Sequence, residues 1–209
     1  MIPDDWERIE SVVEYETGWY TGGYDLLRQP DGTEKRYYWA ELPPAAVVVA
    51  RDGDELVMVE QYRPPIRERC LELPAGIVEE DDVPRGRRRR GGETAEGDAP
   101  AGTLEPQGAV PPEAYERAAA RELAEETGYA PGTVRFLEAV WASTGVLRHR
   151  RGHVFATDLE PAERALDTNE FIEVTRVPID GALDRVREDP TNDATIEGVL
   201  LAEREGLLD

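Results

Sequence analysis

Three glutamates near the middle of the chain have the spacing of metal ligands on a helix. Glu122, Glu125 and Glu126 are three and four positions apart, so in a helix their carboxylates project from one face. Like charges at this spacing weaken an isolated helix by a few tenths of a kcal/mol per pair, roughly. A hard divalent cation such as Mg²⁺ or Mn²⁺ would reverse that effect, because it prefers oxygen ligands and also binds substrate phosphates. The alternative is a solvated acidic face, but the fixed spacing after Arg121 and before Gly128 favours a metal site.

The helix that must carry these glutamates is predicted over Glu113–Thr127. Pro111 and Pro112 precede it and Gly128 ends it, as is typical of helix starts and stops. Arg121 lies four residues before Glu125, so its guanidinium can orient that carboxylate from beside it.

The remaining predicted elements are mostly strands, with two further helices near the C-terminal end. The first third is rich in aromatic and β-branched runs, with turns predicted at Thr21-Gly22-Gly23, at Pro30-Asp31-Gly32 and at Arg51–Asp54. Strands are predicted at Val12–Tyr20, Tyr24–Arg28, Arg36–Glu41, Ala45–Ala50, Glu55–Tyr62, Val134–Trp141, His153–Leu159 and Phe171–Val177, and further helices at Ala182–Glu188 and Ala194–Glu205. Strands on both sides of one central helix, with helices at the end, predict an α+β or α/β/α sandwich fold.

Composition narrows the class of protein. The chain has 209 residues and a formal charge of −21, which disfavours nucleic acid and anionic membranes as partners. Neither a long apolar run nor a secretory signal is present, and the single Cys70 excludes a disulfide framework, so we expect a cytoplasmic protein. Lys35 is the only lysine among 24 basic residues, and together with the acidity this favours a halophilic source over a merely GC-rich genome.

Residues 83–112 differ from the rest of the chain. They contain eleven Gly or Pro, four consecutive arginines (87–90) and no aromatic residue, so we expect a flexible insertion. An anion-binding arm is the alternative, but adjacent arginines in a Gly-rich context have no fixed geometry.

The residues of the central helix resemble a known motif, the core of the Nudix box. The resemblance rests on Arg121-Glu122-Leu123-x-Glu125-Glu126-x-Gly128-Tyr129, with Glu113 eight residues before Arg121. Flanking stretches resemble the ADP-ribose pyrophosphatase branch of that family: Glu60–Pro64, Glu72–Gly76 and Asn169–Val174. The resemblance implies a Nudix fold with a mixed central sheet. It also implies an N-terminal β subdomain (1–43) for dimerisation or substrate binding, followed by the hydrolase domain (44–209).

The sequence departs from the Nudix pattern in three places. Gln107 occupies the expected position of the first glycine of the box, so Gly76 is the better match and the insertion splits the box. Asp82 lies six residues after Gly76 and competes with Glu113 for the first acidic position. We expect Glu113, because its spacing to Arg121 is intact. The Arg148–Arg151 stretch and Thr168 stand where relatives often carry acidic residues.

The resemblance implies hydrolysis of a nucleoside diphosphate-linked compound such as ADP-ribose, giving AMP and ribose 5-phosphate, with Mg²⁺ or Mn²⁺ as cofactor. A sugar nucleotide or dinucleotide substrate and a non-catalytic nucleotide-binding module are the alternatives. The implied metal ligands are Glu122, Glu126, the Ala75 carbonyl and, either as ligands or as groups beside them, Glu125 and Glu170. Gly76 would let the backbone approach the metal.

Further roles follow from the same resemblance. The catalytic base is expected to be Glu170, with Glu173 as second choice, and Glu125 could assist. These two loop glutamates would point to opposite faces of the strand, so only one can face the metal helix. Arg63 would contact a phosphate or pair with Glu72, Arg148 could hold phosphates, and Trp39 could stack on an adenine. A homodimer is also implied.

Overall fold

The computed structural model describes residues 4–84, 110–166, 168 and 170–209. Most of the expected insertion (85–109) lies outside the described residues. Contacts divide the chain into two units: the first contains 4–43 and 141–150, the second 44–84, 110–140 and the described residues after 150. The N-terminal part of the first unit ends at Pro43, and 141–150 belongs to the same unit. The predicted role of residues 1–43 in dimerisation or substrate binding stays a prediction.

The helices and strands follow in chain order. The strands are β1 (Glu7–Glu16), β2 (Thr21–Arg28), β3 (Glu34–Glu41), β4 (Ala45–Asp52), β5 (Glu55–Arg63), β6 (Glu68–Glu72), β7 (Ala75–Ile77), β8 (Tyr129–Trp141), β9 (Leu147–Arg148), β10 (Arg150–Pro161) and β11 (Ile172–Pro178). The helices are α1 (Pro112–Thr127), α2 (Ala182–Val186) and α3 (Asp193–Arg204), with a 3-10 turn at Glu80–Asp82. None of the helices within the described ranges combines the length and the apolar character needed to cross a membrane.

The first unit is a four-stranded sheet in the order β1-β2-β3-β9. The turn predicted at Thr21-Gly22-Gly23 is wrong, because these residues begin β2 and pair with β1. The glycines are needed for a close approach of the two strands. A Cβ on Gly22 would lie 2.2 Å from the Tyr15 ring, and a Cβ on Gly23 would lie 2.0 Å from the Val12 carbonyl oxygen.

The second unit is a mixed sheet in the order β11-β5-β4-β10-β8, in which β6 also pairs with β5 and β7 with β4. β4 and β10 run parallel, whereas β5 is antiparallel to both β4 and β11. Alternate side chains of the central strands enter two separate apolar clusters. Val48 and Val57 pack with α1, and Val49 and Met58 pack with α2 and α3. Helices therefore cover both faces, which confirms the predicted α/β/α sandwich.

Candidate active site

Helix α1 turns apolar residues toward the sheet and two of its glutamates into the protein. Ala118, Ala119 and Leu123 are fully buried in the cluster beneath the helix. Glu122 and Glu126 are only 9% and 3% exposed, whereas the Glu125 side chain is 39% exposed. The helix ends at Thr127, and its cap Gly128 has a left-handed φ of 77° and donates its N–H to the Ala124 carbonyl oxygen. The predicted face of three carboxylates thus consists of two buried groups and one outer group.

Burial makes the charged forms of this carboxylate pair unfavourable. It raises the pKa of Glu122 to about 7 and the pKa of Glu126 to about 8. The charge of Glu122 raises the pKa of Glu126 further, while Arg121 opposes the increase at Glu122. Glu126 Oε2 accepts one hydrogen bond from the Ala75 N–H, at 3.1 Å. A pair of this kind is suited to a cation that would neutralise both groups.

The backbone at Gly76 lies directly against Glu122. A Cβ built on Gly76 would lie 2.0 Å from the Glu122 carboxyl carbon, so only glycine leaves room for that carboxylate. Because Ala75 and Gly76 belong to β7, which pairs with β4, the sheet itself fixes the backbone beside both buried glutamates. The Ala75 N–H donates to Glu126 in this structure, and its carbonyl remains a predicted metal ligand.

The Arg121 guanidinium links α1 by hydrogen bonds to the end of β7 and to the turn that follows it. Its Nη1 donates to Glu122 Oε1 at 2.8 Å and to Glu125 Oε2 at 3.0 Å. Its Nη2 donates to the Ile77 carbonyl oxygen at 2.9 Å and to Asp82 Oδ2 at 3.0 Å. The guanidinium thereby holds two of the three helix carboxylates in a fixed orientation.

The expectation that Glu113 rather than Asp82 takes the first acidic position is corrected by these contacts. Asp82 is 7% exposed and pairs with Arg121. Glu113 is exposed in the first turn of α1, and nine residues at roughly 100° each put it opposite Glu122. The intact spacing to Arg121 was misleading, because the insertion lies between the two halves of the box. Asp82, six residues after Gly76, is the acidic residue that the fold brings to Arg121.

Glu72 is the centre of a second polar cluster. It is 6% exposed, and its Oε2 accepts from Arg63 Nε at 2.9 Å, Arg63 Nη2 at 2.5 Å and Gln61 Nε2 at 3.1 Å. Its Oε1 accepts from Asn192 Nδ2 at 2.7 Å. The predicted pairing of Arg63 with Glu72 is therefore present. The positive charge of Arg63 also acts on Glu126, as one of the weaker contributions that oppose the burial-raised pKa of that carboxyl.

The register of β11 separates the two candidate bases. Val174 packs into the cluster beneath α1 and Val177 into the cluster beneath α2 and α3. Glu173 lies within β11 and has the parity of Val177, whereas Glu170 precedes the strand, which begins at Ile172. Glu173 is 72% exposed and accepts from Arg69 Nη2 at 2.7 Å. The pKa values of Glu122 and Glu126 are raised mainly by burial. The negative charge of Glu170 raises both pKa values further, as a smaller cause. The charge of Glu170 thus acts on the buried pair, whereas Glu173 lies on the face of β11 opposite to Val174.

Two predicted substrate-binding residues contact each other within the first unit. The Arg148 guanidinium lies 4.0 Å from the centre of the Trp39 ring and pairs with Asp25 Oδ2 at 2.5 Å. Asp25 Oδ1 also accepts from Ser11 Oγ and from Trp39 Nε1. These contacts stabilise the four-stranded sheet, and the roles of Arg148 and Trp39 in substrate binding stay predictions.

Sequence reasoning missed Gln61, Asn192 and Arg164 as neighbours of the site. The sequence could have identified Asn192 as the N-cap residue of α3, because asparagine is typical of that position. Its hydrogen bond to Glu72 has no local sequence signature. In the described part of the chain, no group of three or more His, Cys, Asp or Glu side chains is arranged to hold a metal ion. The preformed part of the site is the pair Glu122 and Glu126, held by Arg121 and β7.

Comparisons with known proteins agree with this architecture. Residues 83–197 match the NUDIX domain family. The ADP-ribose pyrophosphatase of Bacillus subtilis (strain 168) is 30% identical over 169 residues, which cover 79% of this chain and 74% of the relative. The methanol dehydrogenase activator of Bacillus methanolicus is 28% identical over 167 residues, covering 78% and 74%. A crystal structure described as an ADP compounds hydrolase superposes with a TM-score of 0.73 at 19% identity, covering 97% and 94%. The chain therefore belongs to the Nudix family of hydrolases.

Proposed function

We propose that this Nudix hydrolase cleaves the pyrophosphate of ADP-ribose, or of a closely related nucleoside diphosphate-linked compound, with Mg²⁺ or Mn²⁺ as cofactor. The products from ADP-ribose are AMP and ribose 5-phosphate. The observation that carries the proposal is the buried Glu122 and Glu126 pair on one face of α1, packed against Gly76. The similarity to the Bacillus subtilis ADP-ribose pyrophosphatase supports the choice of substrate.

The donors fit a hard divalent cation. Glu122 and Glu126 supply carboxylate oxygens, and they are too buried to be stable as two unneutralised anions. Glu170 or Glu125 would supply a further carboxylate, and the Ala75 carbonyl a neutral oxygen. When bound, the metal neutralises the pyrophosphate and lowers the pKa of a coordinated water.

Side chains of the protein bind the substrate phosphate and remove a proton from the attacking water. Arg63 gives two of its five N–H groups to Glu72 and keeps the others for a substrate phosphate, with its side chain 45% exposed. Glu170 takes a proton from the water that attacks one phosphorus. The bond from that phosphorus to the bridging oxygen then breaks, and the two phosphate esters leave.

A substrate panel tests the proposal directly. ADP-ribose, ADP-glucose, NAD⁺ and diadenosine polyphosphates are incubated with Mg²⁺ or Mn²⁺ at low and at molar salt, and the released phosphate esters are quantified. We expect metal-dependent release of AMP and ribose 5-phosphate from ADP-ribose. Glu126→Gln should lower turnover by about 10²-fold or more with little loss of folding, because it removes ligand charge and no packing. Absence of hydrolysis with every compound would refute the proposal.

A second candidate is a regulatory module that binds a nucleotide without hydrolysing it. The relative from Bacillus methanolicus favours it, because that protein is described as an activator of another enzyme. The presence of all three α1 carboxylates, Glu122, Glu125 and Glu126, favours hydrolysis over binding alone. Calorimetric binding of ADP-ribose to the metal-loaded protein without any release of AMP would support this candidate instead.

A further inference from the structure

Arg164 connects two segments that carry the proposed catalytic groups. Its Nε donates to the carbonyl oxygen of Glu126, and its Nη2 donates to the carbonyl oxygen of Ile172, both at 2.6 Å. The first acceptor belongs to the last turn of α1. The second is the first residue of β11, two positions after Glu170.

The backbone around Arg164 follows the C-terminal end of α1. The Ala162 N–H donates to the Gly128 carbonyl oxygen at 2.8 Å, and the Ala165 N–H donates to the Glu125 carbonyl oxygen at 3.1 Å. The last carbonyl groups of a helix have no partner within the helix, and a cation there is favoured by the helix dipole. The segment thus satisfies the exposed end of α1 and orients Arg164 across it.

This link matters because Glu126 and Glu170 lie on different elements. Glu126 is fixed by α1, whereas the position of Glu170 follows from β11, whose pairing with β5 begins only at Ile172. The separation of the two carboxylates therefore depends on how the start of β11 is held relative to the end of α1. A guanidinium is planar and can hold two carbonyl groups at fixed positions at once.

We propose that Arg164 is a positioning residue that holds Glu170 at its working distance from Glu126. The inference rests on the proposed function, because it assigns the base role to Glu170. Arg164 itself makes both contacts to backbone oxygens, so its action on the reaction passes through Glu170.

Kinetics of Arg164 variants test this role. Arg164→Ala should lower kcat by about tenfold or more, with KM within about threefold, because a misplaced base affects the transition state more than binding. Arg164→Lys keeps the cation but lacks the planar fork, so it should recover only part of the loss. Full recovery would show that the charge alone matters and would overturn the proposal. Arg135→Ala, which removes an exposed pair with Glu205, is the matched control and should behave as wild type.

A double-mutant cycle identifies the partner through which Arg164 acts. In a Glu170→Gln background, Arg164→Ala should cost less than about twofold in kcat, because the group that it positions is already disabled. A full tenfold loss in that background would assign Arg164 a route other than Glu170 and would overturn the inference.

Hydrogen exchange of the metal-free protein supplies a readout that does not depend on activity. Amides of residues 170–173 should exchange about tenfold faster in Arg164→Ala than in wild type or Arg135→Ala, with the β4 amides unchanged. Unchanged exchange at 170–173 would refute the positioning role, even if activity falls. Faster exchange in a protein that hydrolyses no nucleotide would uphold the positioning of this segment while refuting the proposed function.

Discussion

At the level of single residues, burial of Glu122 and Glu126 makes the stability of the metal-free protein depend on pH. Both folded-state pKa values, about 7 and about 8, exceed the value of 4.5 for an ordinary Glu. The folded protein therefore keeps protons that the unfolded chain releases. The stabilising contribution is complete below pH 4.5 and is lost as the pH rises through 7 to 8. We expect urea unfolding in EDTA to show a lower free energy of unfolding above pH 8 than below pH 4.5.

The control for this pH effect is the double variant Glu122→Gln and Glu126→Gln, which should be nearly insensitive to pH across the same range. Adding Mg²⁺ at high pH should restabilise the wild type but not the variant, since only the charged pair attracts the cation. Equal pH dependence in the two proteins would show that other groups cause it.

The two loop glutamates should differ sharply in their effect on turnover. Glu170→Gln should lower kcat by about 10²-fold while substrate binding stays within a few-fold, as is typical of a group acting mainly in the transition state. Glu173→Gln removes an exposed pair with Arg69 and should be mild. Steady-state kinetics of both variants decide the matter. A crippled Glu173→Gln beside a silent Glu170→Gln would move the base to the other face of β11.

At the level of elements, α3 supports the site through its N-cap. Asn192 Oδ1 accepts from the Thr195 N–H at 2.8 Å, while its Nδ2 donates to Glu72. Asn192→Ser keeps a capping oxygen but loses the donor, so stability should change by less than about 1 kcal/mol. KM should rise several-fold with kcat nearly unchanged, because Glu72 then holds Arg63 less firmly. Thermal melting and initial rates measure both quantities.

The comparison variant Asn192→Ala loses both bonds and should cost about 1 kcal/mol more in stability than the serine variant. A wild-type KM in Asn192→Ser would mean that the cap alone accounts for this residue. The orientation of Arg63 would then be set by Gln61 and Glu72 without help from α3.

At the level of the whole molecule, the insertion should be dispensable for folding. Val83 and Val110, which lie near the two ends of the predicted insertion, pack against the same apolar cluster beneath α1. Replacing residues 85–109 with a short turn changes the closure entropy by only about a kcal/mol. We expect the shortened chain to melt cooperatively within a few degrees of wild type and to retain the activity of the full chain. Loss of the folded state would show that the insertion is part of the domain.

The net charge of −21 should make stability depend on salt. Carboxylates that repel one another destabilise the compact state, and at about 1 M salt the screening length falls to roughly 3 Å. The melting temperature should therefore rise as KCl increases from low to molar concentration. A melting temperature that falls with KCl would count against the halophilic interpretation of the composition.

Much of the fold was predictable because local periodicity defines it. The apolar spacing of α1 and its stop at Gly128 are local properties, and so is the two-residue hairpin between β4 and β5, where Gly53 adopts a φ of 62°. Short strands such as β6, β7 and β9 were not predicted, since two to five residues carry too little pattern. The glycines at 22 and 23 were misassigned to a turn, because their need for close strand approach appears only when the strands pair.

The sequence alone determined that three carboxylates lie on one helix face after an arginine, and this predicted a metal site, because helical spacing needs no tertiary information. Tertiary structure decided which carboxylates come together around α1. Asp82 rather than Glu113 pairs with Arg121, because folding brings β7 and its following turn to α1 across the insertion. The charge of Glu170 acts on the buried pair, whereas Glu173 lies on the face of β11 opposite to Val174, which packs beneath α1. Period-two alternation sorts side chains into two faces, but only packing decides which face meets the helix.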